Sequence, residues 1–165
     1  MLTAVISLLI LGKQGGYTWA GYTSKEGRYS VDMPGKVQSL VKPVATELGE
    51  LQMYTSYVDM GAKAFMMMYN DYPTMGNPKL VLPAVWGGQV KGKVNLKVLS
   101  KTNVMIQGKP GIEGAYQYMT GTQLTTNRVR IVLSGKRLYQ QMAIGVGSTI
   151  DKASGDRFFS SFKLR

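Results

Sequence analysis

The chain has 165 residues, 44% of them hydrophobic, which fits one globular domain with a substantial core. It carries 20 Lys and Arg against 9 Asp and Glu, a net charge of +11, and it contains neither His nor Cys. This composition excludes disulfides, thiol nucleophiles, Cys/His zinc sites and His-based acid–base catalysis, and it favours anionic surroundings. The acidic residues form no calcium-loop pattern, so we expect no metal and no cofactor.

The N-terminus begins with an apolar run over residues 2–11, which has the length of a signal-peptide core and is too short to span a bilayer. No Lys or Arg precedes the run and no clear cleavage site follows it, so a buried strand or helix is the alternative. We interpret residues 1–16 as a signal peptide or a residual N-terminal anchor, and residues 17–165 as a single α+β domain. The mature domain is then expected outside the cytoplasm (periplasmic, envelope-associated or secreted), without a transmembrane span.

The first part of the domain is predicted to consist of short strands. Tyr29, Val31 and Met33 alternate with polar residues, as in a half-buried strand that ends at the following Pro-Gly pair. The next segment, up to Thr46, is predicted as a link without regular structure. The two stretches "GELQMYTSYVDM" and "AKAFMMMYNDYP" then predict a hairpin that turns at residues 60–61.

The second arm of this hairpin is apolar on both faces, which is typical of a central strand covered on both sides. Its methionines favour core packing over a soft-metal site, because no His or Cys accompanies them. A short or broken helix is predicted next, over residues 78–86. Asn77 can cap it, Pro78 suits its first position, and the glycine pair at 87–88 is expected to end it.

The C-terminal half is predicted to be a meander of four strands followed by an amphipathic tail. The strands cover residues 95–107, 112–120, 125–134 and 137–146, and the tail is expected to dock onto the sheet. The whole pattern predicts an α+β domain with a single antiparallel sheet of about six to eight strands and helices on one side.

The stretch "GKPGIEG" contains three glycines and a lysine, but it matches neither a phosphate loop nor a dinucleotide fingerprint. Both flanks alternate as strands do. We predict a type II turn over residues 109–112, with Pro110 in its second position and Gly111 at positive φ. Gly114, inside the outgoing strand, is predicted to mark a bulge or a close approach of another backbone.

Several motifs together resemble a bacterial extracytoplasmic domain family of uncharacterised function. That family's pattern reads Ser-x-Glu-Gly, Phe-Pro-Gly, Gly-x-Pro-Gly-x-Glu, Arg-Leu-Tyr and Phe-x-x-Ser-Phe, and this chain matches it over about residues 19–164 with "SKEGRYSVDMPGK", "GKPGIEG", "NRVRIVLSGKRLYQQMAIG" and "RFFSSFKL". Met33 stands where the family usually has phenylalanine. More loosely, the strand order looks like the PsbP-like fold, an antiparallel sheet flanked by helices. Neither resemblance implies a reaction.

The candidate site is a basic set on the meander, predicted to lie on an exposed sheet face: Arg128, Arg130, Lys136 and Arg137, beside Tyr139. Arginine forks match planar anions, so this set could bind phosphate, carboxylate or an acidic protein. The alternative is cross-strand pairing, in which Glu113 forms a structural ion pair with Arg128 or Arg130. Catalysis would need a second carboxylate or a nucleophile near Glu113, so no catalytic residue is predicted.

The sequence therefore predicts a non-enzymatic cell-envelope or secreted domain that binds or scaffolds a protein partner through its sheet face. The alternative is binding of an anionic ligand or a membrane surface through Arg128, Arg130 and Arg137. A small carboxylate-based hydrolase is less favoured, because acidic residues are sparse. Nucleic acid is disfavoured as a partner, since its binding calls for aromatic side chains interleaved with the basic ones.

Overall fold

The computed structural model describes residues 17–46, 49–147 and 150–165. The signal peptide or anchor predicted for residues 1–16 lies outside the described residues. In the described part, strands and helices follow one another as β1 (Ala20–Ser24), β2 (Tyr29–Met33), β3 (Gln38–Thr46), β4 (Gly49–Asp59), β5 (Lys63–Asp71), α1 (Pro78–Val90), β6 (Val94–Ile106), β7 (Lys109–Thr120), β8 (Gln123–Ser134), β9 (Arg137–Val146), α2 (Lys152–Ser160) and β10 (Lys163–Leu164).

The strands form two antiparallel sheets. The large sheet has the order β3-β4-β5-β9-β8-β7-β6, and the small sheet has the order β1-β2-β10. The predicted α+β class and the C-terminal meander from β6 to β9 are confirmed, whereas the prediction of a single sheet was wrong. The second sheet forms because β5 and β9 present an apolar face that needs a cover, and β2 supplies the alternating buried residues that cover it.

Both faces of the large sheet are covered, each by different elements. On what we call the front face, the small sheet and α2 bury a core that includes Tyr29, Phe65 and Phe158. On the opposite back face, α1 packs Leu82 and Trp86 against the meander. The two helices therefore lie on opposite sides of the sheet and not on one side, as the sequence had predicted. The methionines of β5 belong to these cores, since Met66, Met67 and Met68 are all buried.

The predicted link before Thr46 is in fact strand β3, which pairs with β4 along its whole length at one edge of the large sheet. Its side chains are mostly exposed, so it lacks the alternating apolar pattern on which strand prediction depends. Pro43 lies inside β3, opposite Gln52. Proline is tolerated there because an edge strand leaves one row of N–H groups without a ladder partner.

Helix α1 begins where predicted and ends later. The Asn77 side chain accepts a hydrogen bond from the Lys79 amide at 3.0 Å and caps the helix, with Pro78 as its first residue. The helix continues through the glycine pair at 87–88 to Val90, because Trp86 on the preceding turn is anchored against the sheet. Packing thus outweighs the weak helix propensity of glycine.

The turn between β6 and β7 lies three residues earlier than predicted. Gln107 and Gly108 have φ of 49° and 76°, and Ile106 pairs with Lys109, so the loop is a two-residue turn with positive φ at both positions. Pro110 and Gly111 already belong to β7. Gly111 has no positive φ, and a Cβ there would overlap the carbonyl oxygen of Ile131. The predicted type II turn over residues 109–112 was therefore wrong.

Candidate partner-binding surface

Glu113, Arg128 and Arg130 form one ion-pair cluster on the front face. Glu113 in β7 lies opposite Arg130 in β8. Its Oε2 accepts from Nε and Nη2 of Arg130 at 2.9 and 2.8 Å, and its Oε1 accepts from Nη2 of Arg128 at 3.1 Å. Each carboxylate oxygen therefore has its own arginine, a geometry in which charge-assisted hydrogen bonds are strong.

Helix α2 covers this cluster from above. Arg128 Nη1 donates to Asp156 of α2 at 2.8 Å, and Arg130 Nη1 donates to the carbonyl oxygen of Phe159. Both guanidinium groups lie over the Phe159 ring, 4.5 and 5.2 Å from its centroid. The Arg130 side chain is only 12% exposed and that of Arg128 is 32% exposed. The two arginines thus do not form the exposed face that the strand alternation had predicted.

The environment keeps Glu113 ionised. Burial raises the pKa of this carboxyl, but the hydrogen bonds and charges of Arg130 and Arg128 outweigh burial, so the net pKa lies below its usual value. A carboxyl in this state donates no proton at neutral pH. It holds β7 and β8 to α2, and it lacks the raised pKa of a general acid.

Arg137 and Tyr139 form a second cluster at the other end of the front face. Arg137 donates to both carboxylate oxygens of Asp71, at 2.6 and 2.5 Å, and to the carbonyl oxygen of Glu26 at 2.6 Å. The Tyr139 hydroxyl donates to the carbonyl oxygen of Gly27 at 2.8 Å. Both residues therefore hold the turn between β1 and β2 onto the large sheet. The neighbouring Lys136 lies exposed in the turn between β8 and β9.

The predicted site residues thus fall into two clusters, and every arginine among them already bonds within the protein. Arg137 and Asp71 shift each other's pKa. Hydrogen bonding to Arg137 lowers the pKa of Asp71, and the same hydrogen bond raises the pKa of Arg137. Binding an external anion at either cluster would require these internal bonds to break, and this cost reduces the free energy gained on binding.

A different basic surface lies around α1 and β6. Residues 72–112 contain no Asp or Glu and six lysines, which we call the lysine surface: Lys79, Lys91, Lys93, Lys97, Lys101 and Lys109. Within the described residues, no ion pair joins any of the six to a carboxylate. Lys93 lies 4.1 Å from the centroid of the Tyr118 ring on the back face. The lysine surface therefore carries positive charge that no carboxylate of the described residues neutralises, although Lys93 and Lys101 lie over aromatic rings.

Strand β6 is the edge of the large sheet on this side and is exposed along nearly its whole length. It also carries five large apolar side chains that face solvent: Val94, Leu96, Val98, Leu99 and Met105. An exposed edge strand with apolar side chains is a template for pairing with another chain. The side-chain pattern predicts β6 as a strand but does not predict this surface. The run of residues 72–112, which contains no Asp or Glu, is the signal that could have revealed it.

An open groove of about 310 Å³ runs beside β6 on the front face, beyond the cover of α2. Ser100, Thr102 and Val104 of β6 form one wall, and Glu113 and Arg128 lie on the other. The groove exists because Ala115 on β7 carries only a methyl group between these walls. Gly114 is a close-approach site, as predicted, since a Cβ there would overlap the carbonyl oxygen of Ser100 and lie 2.5 Å from Cη2 of Trp86.

The fold has counterparts among solved structures. The solution structure of cyanobacterial PsbP (CyanoP) from Synechocystis sp. PCC 6803 superposes with a TM-score of 0.60 and 13% identity, covering 94% of this chain and 99% of that one. The fold is PsbP-like. A crystal structure from Bacteroides thetaiotaomicron VPI-5482 superposes with a TM-score of 0.54 and 9% identity, over 88% of this chain and 48% of that one.

No protein-family model matches the chain, and no curated protein matches it in sequence. The PsbP-like fold expected from the strand order is confirmed, while membership of the uncharacterised bacterial family stays a prediction. In residues 17–46, 49–147 and 150–165, neither helix has the length and apolar character needed to cross a membrane. The same residues contain no group of three or more His, Cys, Asp or Glu side chains placed to hold a metal ion.

Proposed function

We propose that this chain is a non-catalytic binding domain of the cell envelope, and that its protein partner binds at the β6 end of the large sheet. One observation carries the proposal: β6 is an exposed edge strand that carries both apolar side chains and lysines, and these lysines have no carboxylate partner in the described part of the chain. Elsewhere on the large sheet, α1, α2 and the small sheet cover the two faces. The exposed edge strands β3 and β6 are therefore the parts of the sheet that a partner can reach, and β6 is the one that carries five exposed large apolar side chains.

The chemistry of the side chains supports a binding role over a catalytic one. The chain has no His and no Cys, and Glu113 is the one carboxylate among residues 72–150. Two arginines neutralise that carboxylate and lower its pKa. A carboxylate-based hydrolase would need a second carboxyl or an activated nucleophile beside the first.

Placement in the envelope rests on the apolar run at residues 2–11 and on the resemblance to an extracytoplasmic family. N-terminal sequencing of the protein purified from a fractionated bacterial host tests this placement. A mature terminus near residue 17 in the periplasmic or membrane fraction is the expected result. A chain that starts at Met1 or Leu2 in the cytosolic fraction would contradict it.

Site-specific photo-crosslinking in the native host tests the binding surface. A photoreactive residue replaces Leu99 on β6 or, as the matched control, Val41 on β3; the two side chains are 46% and 54% exposed and lie on opposite edges. We expect a discrete protein adduct from position 99 and none from position 41. Equal adduct patterns from both positions, or no adduct from position 99, would refute the proposal.

A second candidate, binding to an anionic membrane surface, is favoured by the same lysines. Clusters of Lys near a membrane attract acidic lipids, and this attraction weakens with salt. Flotation with vesicles of phosphatidylglycerol and phosphatidylethanolamine measures it directly. If Lys97→Glu/Lys101→Glu abolishes flotation while Lys36→Glu/Lys42→Glu does not, and position 99 gives no protein adduct, the membrane replaces the protein partner.

A further inference from the structure

We infer that the partner presents an extended acidic segment, which adds to the large sheet as an eighth strand beside residues 100–106 of β6. This inference rests on the proposed function and specifies how the partner binds. Four observations carry it: the regularity of β6 in this stretch, the direction of its free backbone groups, the lack of proline at this edge, and the charge around it.

The stretch 100–106 is the regular part of β6. Each of its residues pairs one-to-one with β7, from Ser100 with Ala115 to Ile106 with Lys109. Register shifts interrupt the pairing between Val94 and Lys97 and between Val98 and Ser100. Bulges of this kind hinder pairing with a further strand, so the regular template begins at Ser100 and spans about 24 Å, at about 3.4 Å per residue.

The hairpin turn sets which backbone groups of β6 are free. In a two-residue hairpin the flanking residues, here Ile106 and Lys109, form a hydrogen-bonded pair, and every second residue before them bonds to the same neighbour. The N–H and C=O groups of Lys101, Asn103 and Met105 therefore point to the open edge. Pro110 fits this pattern: it lies opposite Met105, where β7 needs no N–H toward β6.

The two edges of the large sheet differ in their protection. On β3, Pro43 removes an N–H from the outer row and blocks an added strand. Residues 100–106 of β6 contain no proline, and in the described residues no other strand pairs with the outer side of β6. An added strand is therefore accepted at β6 and not at β3.

The charge of the surroundings selects an acidic segment. Lys97 precedes the template, Lys101 lies within it and Lys109 follows it at the hairpin, and residues 72–112 contain no acidic side chain. On the front face, the added strand would place alternate side chains toward the groove walled by Ser100, Thr102 and Val104. A segment in which small or β-branched residues alternate with Glu or Asp suits both the groove and the surrounding lysines.

A synthetic octapeptide of alternating glutamate and valine, fluorescein-labelled, tests the inference on the full chain. We expect it to raise fluorescence anisotropy on binding and to slow hydrogen exchange at the amides of Lys101, Asn103 and Met105, measured by NMR. Two further peptides separate the contribution of charge from that of strand pairing. Alternating glutamate and proline keeps the charge but removes every second N–H and fixes φ at about −65°, which disfavours a strand. Alternating lysine and valine keeps the strand with the opposite charge. Neither peptide should bind.

Two matched pairs of variants locate the binding site. Met105→Pro removes one outward N–H of β6 without a ladder bond to β7, and Val41→Pro does the same on β3, two residues from Pro43. We expect Met105→Pro to weaken peptide binding about tenfold, since one lost hydrogen bond with an unpaired partner costs about 1.4 kcal/mol. Val41→Pro should leave it unchanged. Lys97→Glu/Lys101→Glu should abolish binding, and Lys36→Glu/Lys42→Glu should not.

Other occupants of the edge give different results, and each would overturn the inference. Equal binding of the Glu-Val and Glu-Pro peptides means attraction by charge alone. Concentration-dependent dimerisation that Met105→Pro abolishes means that a second copy of this chain is the occupant. Binding to anionic vesicles without peptide binding means a membrane. If position 99 crosslinks to a protein but the Glu-Val peptide does not bind, the proposed function stands and strand addition is wrong.

Discussion

The side-chain amide of Gln107 clamps the C-terminal segment at Phe162. Its Nε2 donates to the carbonyl oxygen of Phe162 at 3.1 Å, and its Oε1 accepts from the amide of Leu164 at 3.1 Å. Gln107 is also the first residue of the turn between β6 and β7, with φ of 49°. One side chain thus joins the open-edged hairpin of the large sheet to β10 of the small sheet.

Shortening this side chain should release β10. Gln107→Asn keeps a residue that tolerates positive φ, so it isolates the loss of the two hydrogen bonds from any strain in the turn. We expect the free energy of unfolding to fall by about 1–2 kcal/mol, and amide exchange at Leu164 to accelerate more than exchange in β8. Unchanged exchange at Leu164 would show that the clamp does not hold β10.

Two glycine-to-alanine changes near α1 should have opposite effects on stability. In Gly114→Ala the new methyl group would overlap the Ser100 carbonyl oxygen and crowd Trp86, so we expect a loss of about 2–3 kcal/mol from forced repacking. In Gly87→Ala no atom beyond the chain neighbours and the surrounding helix backbone lies within 4 Å of the new methyl group, and alanine favours the helix by about 0.5–1 kcal/mol. Urea unfolding of both variants measures the difference. A stabilised Gly114→Ala would refute the close approach.

The Glu113 ion pairs should make the free energy of unfolding depend on pH in the acidic range. Because the folded-state pKa of Glu113 lies below its usual value of 4.5, its contribution is fully present above that pH and is lost as the pH falls through the folded-state pKa. We expect Glu113→Gln to lower the free energy of unfolding at pH 7 by about 2 kcal/mol. This is less than for a fully buried pair, because the Glu113 side chain is 25% exposed.

The pH profile separates this charge effect from simple packing loss. Between pH 7 and pH 3 the free energy of unfolding of Glu113→Gln should fall less than that of the unaltered chain. Arg130→Gln should flatten the profile in the same direction, because Arg130 supplies most of the stabilising bonds to the carboxylate. Parallel profiles for all three proteins would contradict the assignment.

Removing the Tyr139 hydroxyl should loosen the turn between β1 and β2. Tyr139→Phe leaves the carbonyl oxygen of Gly27 without its donor, at an expected cost of about 1–2 kcal/mol. Trypsin should then cleave faster after Lys25, which lies in that turn. Tyr57→Phe is the matched control, since its exposed hydroxyl bonds to Gln38 and its loss should change stability by less than about 0.5 kcal/mol. Equal trypsin rates for both variants would exclude the proposed role.

Local patterns in the sequence predicted those elements whose shape depends on nearby residues. The alternation of Tyr29, Val31 and Met33 identified β2, and the Asn77–Pro78 pair identified the start of α1. The strands of the meander, the hairpin between β4 and β5 and the close approach at Gly114 were also predicted. In each case the signal is a side-chain period, a cap or a missing Cβ, and none of these needs a distant partner.

The candidate site was less predictable, because exposure depends on what packs above a strand. Alternation placed Arg128 and Arg130 away from the buried side chains of β8, which is correct, but α2 and Phe159 then cover that face. Strand β6 shows a strand pattern like its neighbours, and only the sheet order makes it an edge. No local pattern encodes strand order, since order results from contacts between residues far apart in the chain.

The sequence by itself determined an α+β domain with no His or Cys chemistry, strong positive charge and a C-terminal meander. Tertiary structure alone decided that the strands divide into two sheets and that the arginines of the predicted site form ion pairs and hydrogen bonds within the protein. It also decided that the lysine surface lies beside the open edge strand β6. The reason is physical: composition and short-range periodicity are properties of the chain, whereas burial, pairing and edge position arise only when distant segments exclude water together.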